Sequence, residues 1–254
     1  MANNLFITAT EAKSGKSAVS LGVMEMLLRN IDGVGFFRPI ISVDPKKGGI
    51  DPDTNLISTY FKIDSPPEEM YGYTADEAGS LISQGREEEL LEGIISKYNN
   101  LKDNYEFILC EGTDYMSSSA SFEFDINGEV SKNLGAPVLL VANAYEKSVE
   151  DTVRSIELAY DSLDEKGCKT IATIVNRPRP GDAEAILEAL KKSGVGKEQL
   201  MYAVPNEEFL GKPTVGEIAE FLGAEVLYGK EQLHRHVYNF TVAAMQLRNF
   251  LTRI

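Results

Sequence analysis

Cysteine is scarce. Cys110 and Cys168 are the only two in 254 residues, and both fall in apolar, strand-like runs. Two such thiols exclude a disulfide framework and point to a reducing, cytoplasmic setting. Basic residues are in deficit, 25 Lys and Arg against 39 Asp and Glu, giving a formal net charge of −14. Nucleic-acid binding needs clustered Lys and Arg to neutralise phosphates, so no nucleic-acid partner is expected. Long hydrophobic runs are missing as well: stretches such as Val138–Ala142 fall far short of the ~20 residues that span a bilayer. Met1–Thr10 has neither the basic start nor the apolar core of a signal peptide, and no membrane partner is expected. Repeats and low-complexity tracts are also missing. What remains is 43% apolar residues, enough for a sizeable core, in a length suited to one large α/β domain with or without an appendage.

Short β-rich runs alternate with amphipathic segments. The predicted strands are Leu5–Thr8, Val34–Arg38, Glu106–Cys110, Val138–Ala142, Thr170–Val175 and Leu200–Val204. Several are nearly continuous in apolar residues, as expected when helices cover both faces of a parallel sheet. Helix starts are signalled by Ser148–Asp151, Thr74–Glu77 and Thr214–Glu217, the last two as capping boxes. Leu158 and Leu163 are expected on one apolar stripe. Ser42–Asp53, rich in Pro, Gly and Asp, is expected to be a loop. The pattern predicts a doubly wound, mostly parallel α/β sheet with helices on both faces. From Pro213 the alternation restarts, with a helix to Leu222, a strand Ala224–Leu227 and a segment His234–Ile254. Residues 1–212 and 213–254 are therefore expected to be separate modules, the second being the start of a longer one.

Leu5–Thr8 runs into Ala9-Thr-Glu-Ala-Lys-Ser-Gly-Lys-Ser17, then a helix. Gly15, Lys16 and Ser17 match the end of the G-x-x-x-x-G-K-[ST] phosphate loop, with Thr10 at the first glycine position. Gly15 admits close backbone approach, and the N–H groups of the loop, from Thr10, Glu11, Ala12, Lys13 and Ser14 into the first helical turn, point at phosphates. Lys16 neutralises the terminal phosphates and the Ser17 hydroxyl coordinates Mg²⁺. Thr10 is expected to resist the positive φ that a glycine adopts freely. Glu111, at the carboxyl end of a predicted strand, is a candidate Mg²⁺ ligand. Asp53 is a candidate N-cap, a metal ligand, or both.

With these residues in place, the chain resembles the dethiobiotin synthetase branch of P-loop proteins. The resemblance rests on Ile7–Ser17, Phe36–Ile40, Asp53–Leu56, Leu109–Gly112, Ile174–Gly181 and Ala203–Phe209, about residues 1–210. The same order is similar to the N-terminal domain of long phosphate acetyltransferases, where a PTxxEIA helix and a DRTGG-type domain follow. Here Pro213–Leu233 and Val237–Leu251 resemble the opening of that domain, without the DRTGG residues. The resemblance implies ATP or another purine nucleotide with Mg²⁺ as cofactors, and Asn176, Arg177 and Pro205 around the base. It also implies that Arg38 replaces a catalytic lysine. Arginine stays protonated, so Arg38 can clamp an anion but cannot easily accept a proton. The substrate-loop glycines after Glu111-Gly112 are missing, which argues against dethiobiotin synthesis.

Three functional readings stand at this point. One is a nucleotide-responsive regulatory and assembly module, covalently linked to a C-terminal acyltransferase and at most a weak ATPase by itself. A second is a free-standing ATP-dependent ligase using Lys16, Arg38, Ser17, Asp53 and Glu111. A third is a chromosome-partitioning switch ATPase, which would carry a second loop lysine where this chain has Glu11. The apolar tail, including Val237, Phe240, Met245 and Leu251, predicts a homo-oligomer. His234 and His236 lack a third metal ligand and are expected at the surface. Lys46-Lys47 and Ser117–Ser119 are expected in solvated loops.

Overall fold

A computed structural model describes residues 3–43, 51–113, 120–195, 199–207 and 211–240. Seven strands form one sheet: β1 (Asn4–Ala9), β2 (Val34–Ile41), β3 (Tyr71–Thr74), β4 (Phe107–Glu111), β5 (Val138–Asn143), β6 (Thr170–Asn176) and β7 (Leu200–Val204). Their order is β3-β2-β4-β1-β5-β6-β7, and every pairing is parallel. The helices are α1 (Lys16–Leu28), α2 (Pro52–Phe61), α3 (Ala75–Ser83), α4 (Glu87–Lys102), α5 (Ala120–Asn133), α6 (Val149–Glu165), α7 (Asp182–Ser193) and α8 (Val215–Phe221).

Strand alternation distributes the core. Phe36 and Leu109 share one cluster with Ile7, Met24 of α1 and Ile57 of α2. Their neighbours Phe37, Ile108 and Cys110 point the other way, against Leu90, Ile94 and Tyr98 of α4. On β5, Leu139 and Val141 join the first face, while Val138, Leu140 and Ala142 pack on Ile156 and Leu163 of α6 and Ile186 of α7. Both faces of the sheet are therefore covered, and near-continuous apolar strands follow. At the edge only one face of β7 is buried: Met201 and Ala203 pack inward, while Leu200, Tyr202 and Val204 are exposed.

Local signals account for the boundaries. The Thr74 and Thr214 capping boxes form, each with a reciprocal Glu at the third helical position, and Ser148 caps α6 through Asp151 N. Four expectations are corrected. The cap of α2 is Asp51, not Asp53, and Pro52 takes the first helical position, so the loop ends two residues early. Leu158 is exposed while Leu163 is buried, because the stripe follows Thr152, Ile156, Ala159 and Leu163. Cys168 is buried but lies in the turn before β6. Ala224–Leu227 forms no strand. β3, four residues long, went unforeseen.

The chain divides into two compact units, Met1–Asn206 and Glu207–Ile254. Within the second, α8 is followed by an isolated antiparallel bridge between Thr214 and His236. A His236 ring nitrogen is hydrogen-bonded to the Lys212 carbonyl, and Lys212 lies over the Tyr238 ring. Lys46-Lys47, Ser117–Ser119 and the tail beyond Phe240 lie outside the described residues. Among the described residues no helix is long and apolar enough to cross a membrane.

Candidate functional site

The phosphate loop leaves the carboxyl end of β1 at the centre of the sheet, where the chain turns to strands on either side; open α/β sheets gather ligands at such a point. Thr10 does not strain the loop. Its N–H donates to Val141 O at 3.0 Å, extending the β1–β5 ladder, and it is not among the positive-φ residues. The left-handed positions are Lys13 (φ 58°) and Gly15 (φ 92°), the latter capping α1. A Cβ on Gly15 would collide with the Asn176 amide nitrogen, so glycine is required there for two reasons.

Asn176 and Arg177, at the end of β6, brace the loop. Asn176 Nδ2 donates to Ser14 O at 2.7 Å, and an Arg177 Nη donates to Lys13 O at 2.7 Å and Asn143 Oδ1 at 2.9 Å. The Arg177 guanidinium also lies over the Tyr145 ring. One of the two Asn176 amide hydrogens is thus committed to the loop. Glu11 accepts from Asn143 Nδ2 and Lys147 Nζ, both at 2.6 Å, and Ser14 Oγ donates to Glu11 O. Pro205 is exposed after β7. Asn143, Tyr145 and Lys147 were not foreseen, because only the end of β5 brings them to the loop and no motif marks them.

Lys16 is 3% exposed and donates to Thr113 O at 3.2 Å. Asn127 of α5 holds Thr113 by accepting from its N–H at 3.0 Å. Beside Lys16, Glu111 is fully buried, and neither carboxylate oxygen accepts a hydrogen bond. Burial pushes its carboxyl above the ordinary range. Arg38, Lys16 and the nearby Ser20 hydroxyl (close enough to favour the ion, outside hydrogen-bond geometry) pull it back.

Arg38, also 3% exposed, meets three carboxylates. One terminal nitrogen donates to Asp51 at 2.6 and 2.7 Å and lies 3.1 Å from Asp53 Oδ2; the other lies 3.6 Å from Glu111 Oε1. Burial opposes the charge, but Glu111, Asp51 and Asp53 outweigh it and hold the guanidinium more firmly protonated than in water. Asp51 was missed as a site residue, although the Asp-Pro pair at a helix start signalled it. No group of three His, Cys, Asp or Glu side chains among the described residues is set for a metal alone. Mg²⁺ needs no such cage, since one or two carboxylates plus phosphates suffice. The bare Glu111 oxygens and the Asp53 carboxylate, which both face Arg38, are oxygen donors of that kind, and Ser17 lies in the first turn of α1.

A central parallel sheet whose first strand feeds a glycine-capped helix, with a buried lysine at its start, defines a P-loop NTPase-like domain. Residues 3–214 match the AAA domain family, and the chain belongs to it, in the dethiobiotin synthetase-like P-loop group; residues 217–254 match the DRTGG domain. A phosphate acetyltransferase of Nitratidesulfovibrio vulgaris is 44% identical over 99% of this chain, which spans 36% of that protein's length. An ATP-dependent dethiobiotin synthetase of Clostridium perfringens is 25% identical over 90% of this chain and all of its own. The structure of a putative plasmid partition protein from Borrelia burgdorferi bound to AMPPNP matches with a TM-score of 0.50. It is 14% identical, covering 82% of this chain and 89% of that one, a likeness of fold alone.

Proposed function

We propose that the chain is the N-terminal nucleotide-binding and assembly module of a phosphate acetyltransferase, the enzyme that interconverts acetyl-CoA plus phosphate with acetyl phosphate plus CoA. The observation that carries the reading is a phosphate acetyltransferase, much longer than this chain, that matches it almost end to end. A phosphate loop with Gly15 in the left-handed conformation and Lys16 beside two bare Glu111 oxygens supports nucleotide binding within it. Loop N–H groups and the α1 N-terminus face phosphates, and Lys16 adds charge. Ser17, Asp53 and Glu111 would hold Mg²⁺, which supplies charge neutralisation at the phosphates. The acyl transfer belongs to a covalently linked C-terminal domain, and the chain works as a cytoplasmic homo-oligomer.

Titration calorimetry with Mg²⁺ and ATP or GTP tests the site. Lys16→Ala should weaken binding about ten- to a hundredfold, since a hydrogen bond to a charged group is worth roughly 1.5–3 kcal/mol. No binding at millimolar nucleotide would leave an assembly module only. A free-standing ligase of the dethiobiotin synthetase kind is the second reading, favoured by the intact Gly15-Lys16-Ser17 and by a match spanning a whole synthetase. The length of the natural reading frame separates the two.

A further inference from the structure

Arg38 stands where an anion clamp was expected, yet anions of the protein already surround it. Its contacts are unequal. Asp51 takes both short hydrogen bonds, Asp53 is longer at 3.1 Å, and Glu111 is 3.6 Å away without a hydrogen bond. Asp51 is also fixed from its own side, because its carboxylate caps α2 by accepting from Thr54 N and Oγ1. Glu111 is the opposite case: fully buried, with both oxygens bare and Arg38 as its nearest paired cation. Among the described residues, three carboxylates thus converge on Arg38, which holds them unequally. Asp53 and Glu111, the two loosely held acids, are also the two that suit a divalent cation.

We propose that Arg38 is a resident counter-cation that takes the place of the divalent metal in the nucleotide-free site. This rests on the reading of the loop as a Mg²⁺–nucleotide site. The guanidinium and the metal compete for Asp53 and Glu111, and Asp51 is the partner Arg38 keeps when the metal enters. The protein alone therefore has little affinity for divalent cations. The site opens to metal only when nucleotide phosphates bring further oxygen ligands and draw Lys16 to themselves. Arginine suits this role because it stays charged at every accessible pH. With its one strong anionic partner built into a helix cap, the side chain is also unavailable as a clamp for an outside anion.

The test measures Mn²⁺ binding by electron paramagnetic resonance, without nucleotide, on the intact chain. Wild type should bind Mn²⁺ no more tightly than the millimolar range. Arg38→Gln should bind one Mn²⁺ at least tenfold more tightly, Arg38→Lys should stay near wild type because the charge remains, and Arg38→Gln with Glu111→Gln should lose the gain. Circular dichroism verifies that each variant is folded. A folded Arg38→Gln protein with no gain overturns the proposal. Wild type that holds Mn²⁺ at micromolar concentration without nucleotide overturns it whether or not the variant folds. Failure of the nucleotide site reads out separately, as an Arg38→Gln variant that gains Mn²⁺ while wild type binds no ATP in calorimetry.

Discussion

Replacing Gly15 with alanine tests the loop geometry most directly. The residue sits at φ 92°, where an L side chain meets the following carbonyl oxygen; adopting the left-handed region costs roughly 1–2 kcal/mol. The added methyl also lands on Asn176 Nδ2, which is tied to Ser14 O. Asn176 is nine-tenths buried, so it must tilt away and give up that bond, at about 1–2 kcal/mol for a partly unsatisfied amide. The sum is about 2–4 kcal/mol. At roughly 2–4 °C per kcal/mol for a domain of this size, the melting temperature should fall by about 4–16 °C. Urea unfolding of wild type, Gly15→Ala, Asn176→Ala and the double variant measures the parts. The double variant should lose less than the sum of the singles, because truncating Asn176 removes the collision. A Gly15→Ala protein within about 0.5 kcal/mol of wild type, or strict additivity, would refute the assigned geometry.

Thr10→Gly should lower stability slightly, by about 0.5–1 kcal/mol from added backbone freedom, and should not improve nucleotide binding, because Thr10 is unstrained. Thermal melting and calorimetry measure both. Burial pushes the Tyr98 phenol up to about 12, against a hydrogen bond from Asn4 Nδ2 that favours the phenolate. Between its ordinary value of 10.0 and about 12 the unfolded chain loses this proton and the folded one keeps it, so stability falls as pH rises through that window. Tyr98→Phe should flatten that alkaline limb in urea midpoints, and parallel profiles would count against the shift. Sedimentation equilibrium at tens of micromolar should show self-association; the exposed Leu200, Tyr202 and Val204 face of the edge strand is a surface for it. The chain alone should form no acetyl-CoA from acetyl phosphate and CoA, and turnover above background would overturn the assignment of acyl transfer to another domain.

Six of the seven strands, the capping boxes and the phosphate loop were legible in the sequence because each rests on local chemistry. Apolar runs mark strands buried on both faces, Thr-x-x-Glu satisfies helix-start donors, and Gly15-Lys16-Ser17 follows a strand directly. Local chemistry does not say which strands become neighbours. β3 is four residues with one buried position, too short for periodicity, and exists because β2 offers it an edge. Asp53 is the expected cap of α2, but the helix starts at Pro52, whose ring suits the first helical position, and the cap is therefore Asp51. Thr10 is costly only where the first loop position takes a positive φ; extending β1 alongside β5 gives it ordinary backbone, and the left-handed turn falls at Lys13 and Gly15. Asn176 and Arg177 lie more than a hundred residues from the loop they brace. Arg38, Asp51 and Glu111 come from three elements, and the charge each faces is set by its neighbours across the sheet. A sequence fixes the sign of each group but not its separation from the next, and in a buried site that separation decides whether an arginine meets a ligand or the protein's own carboxylates.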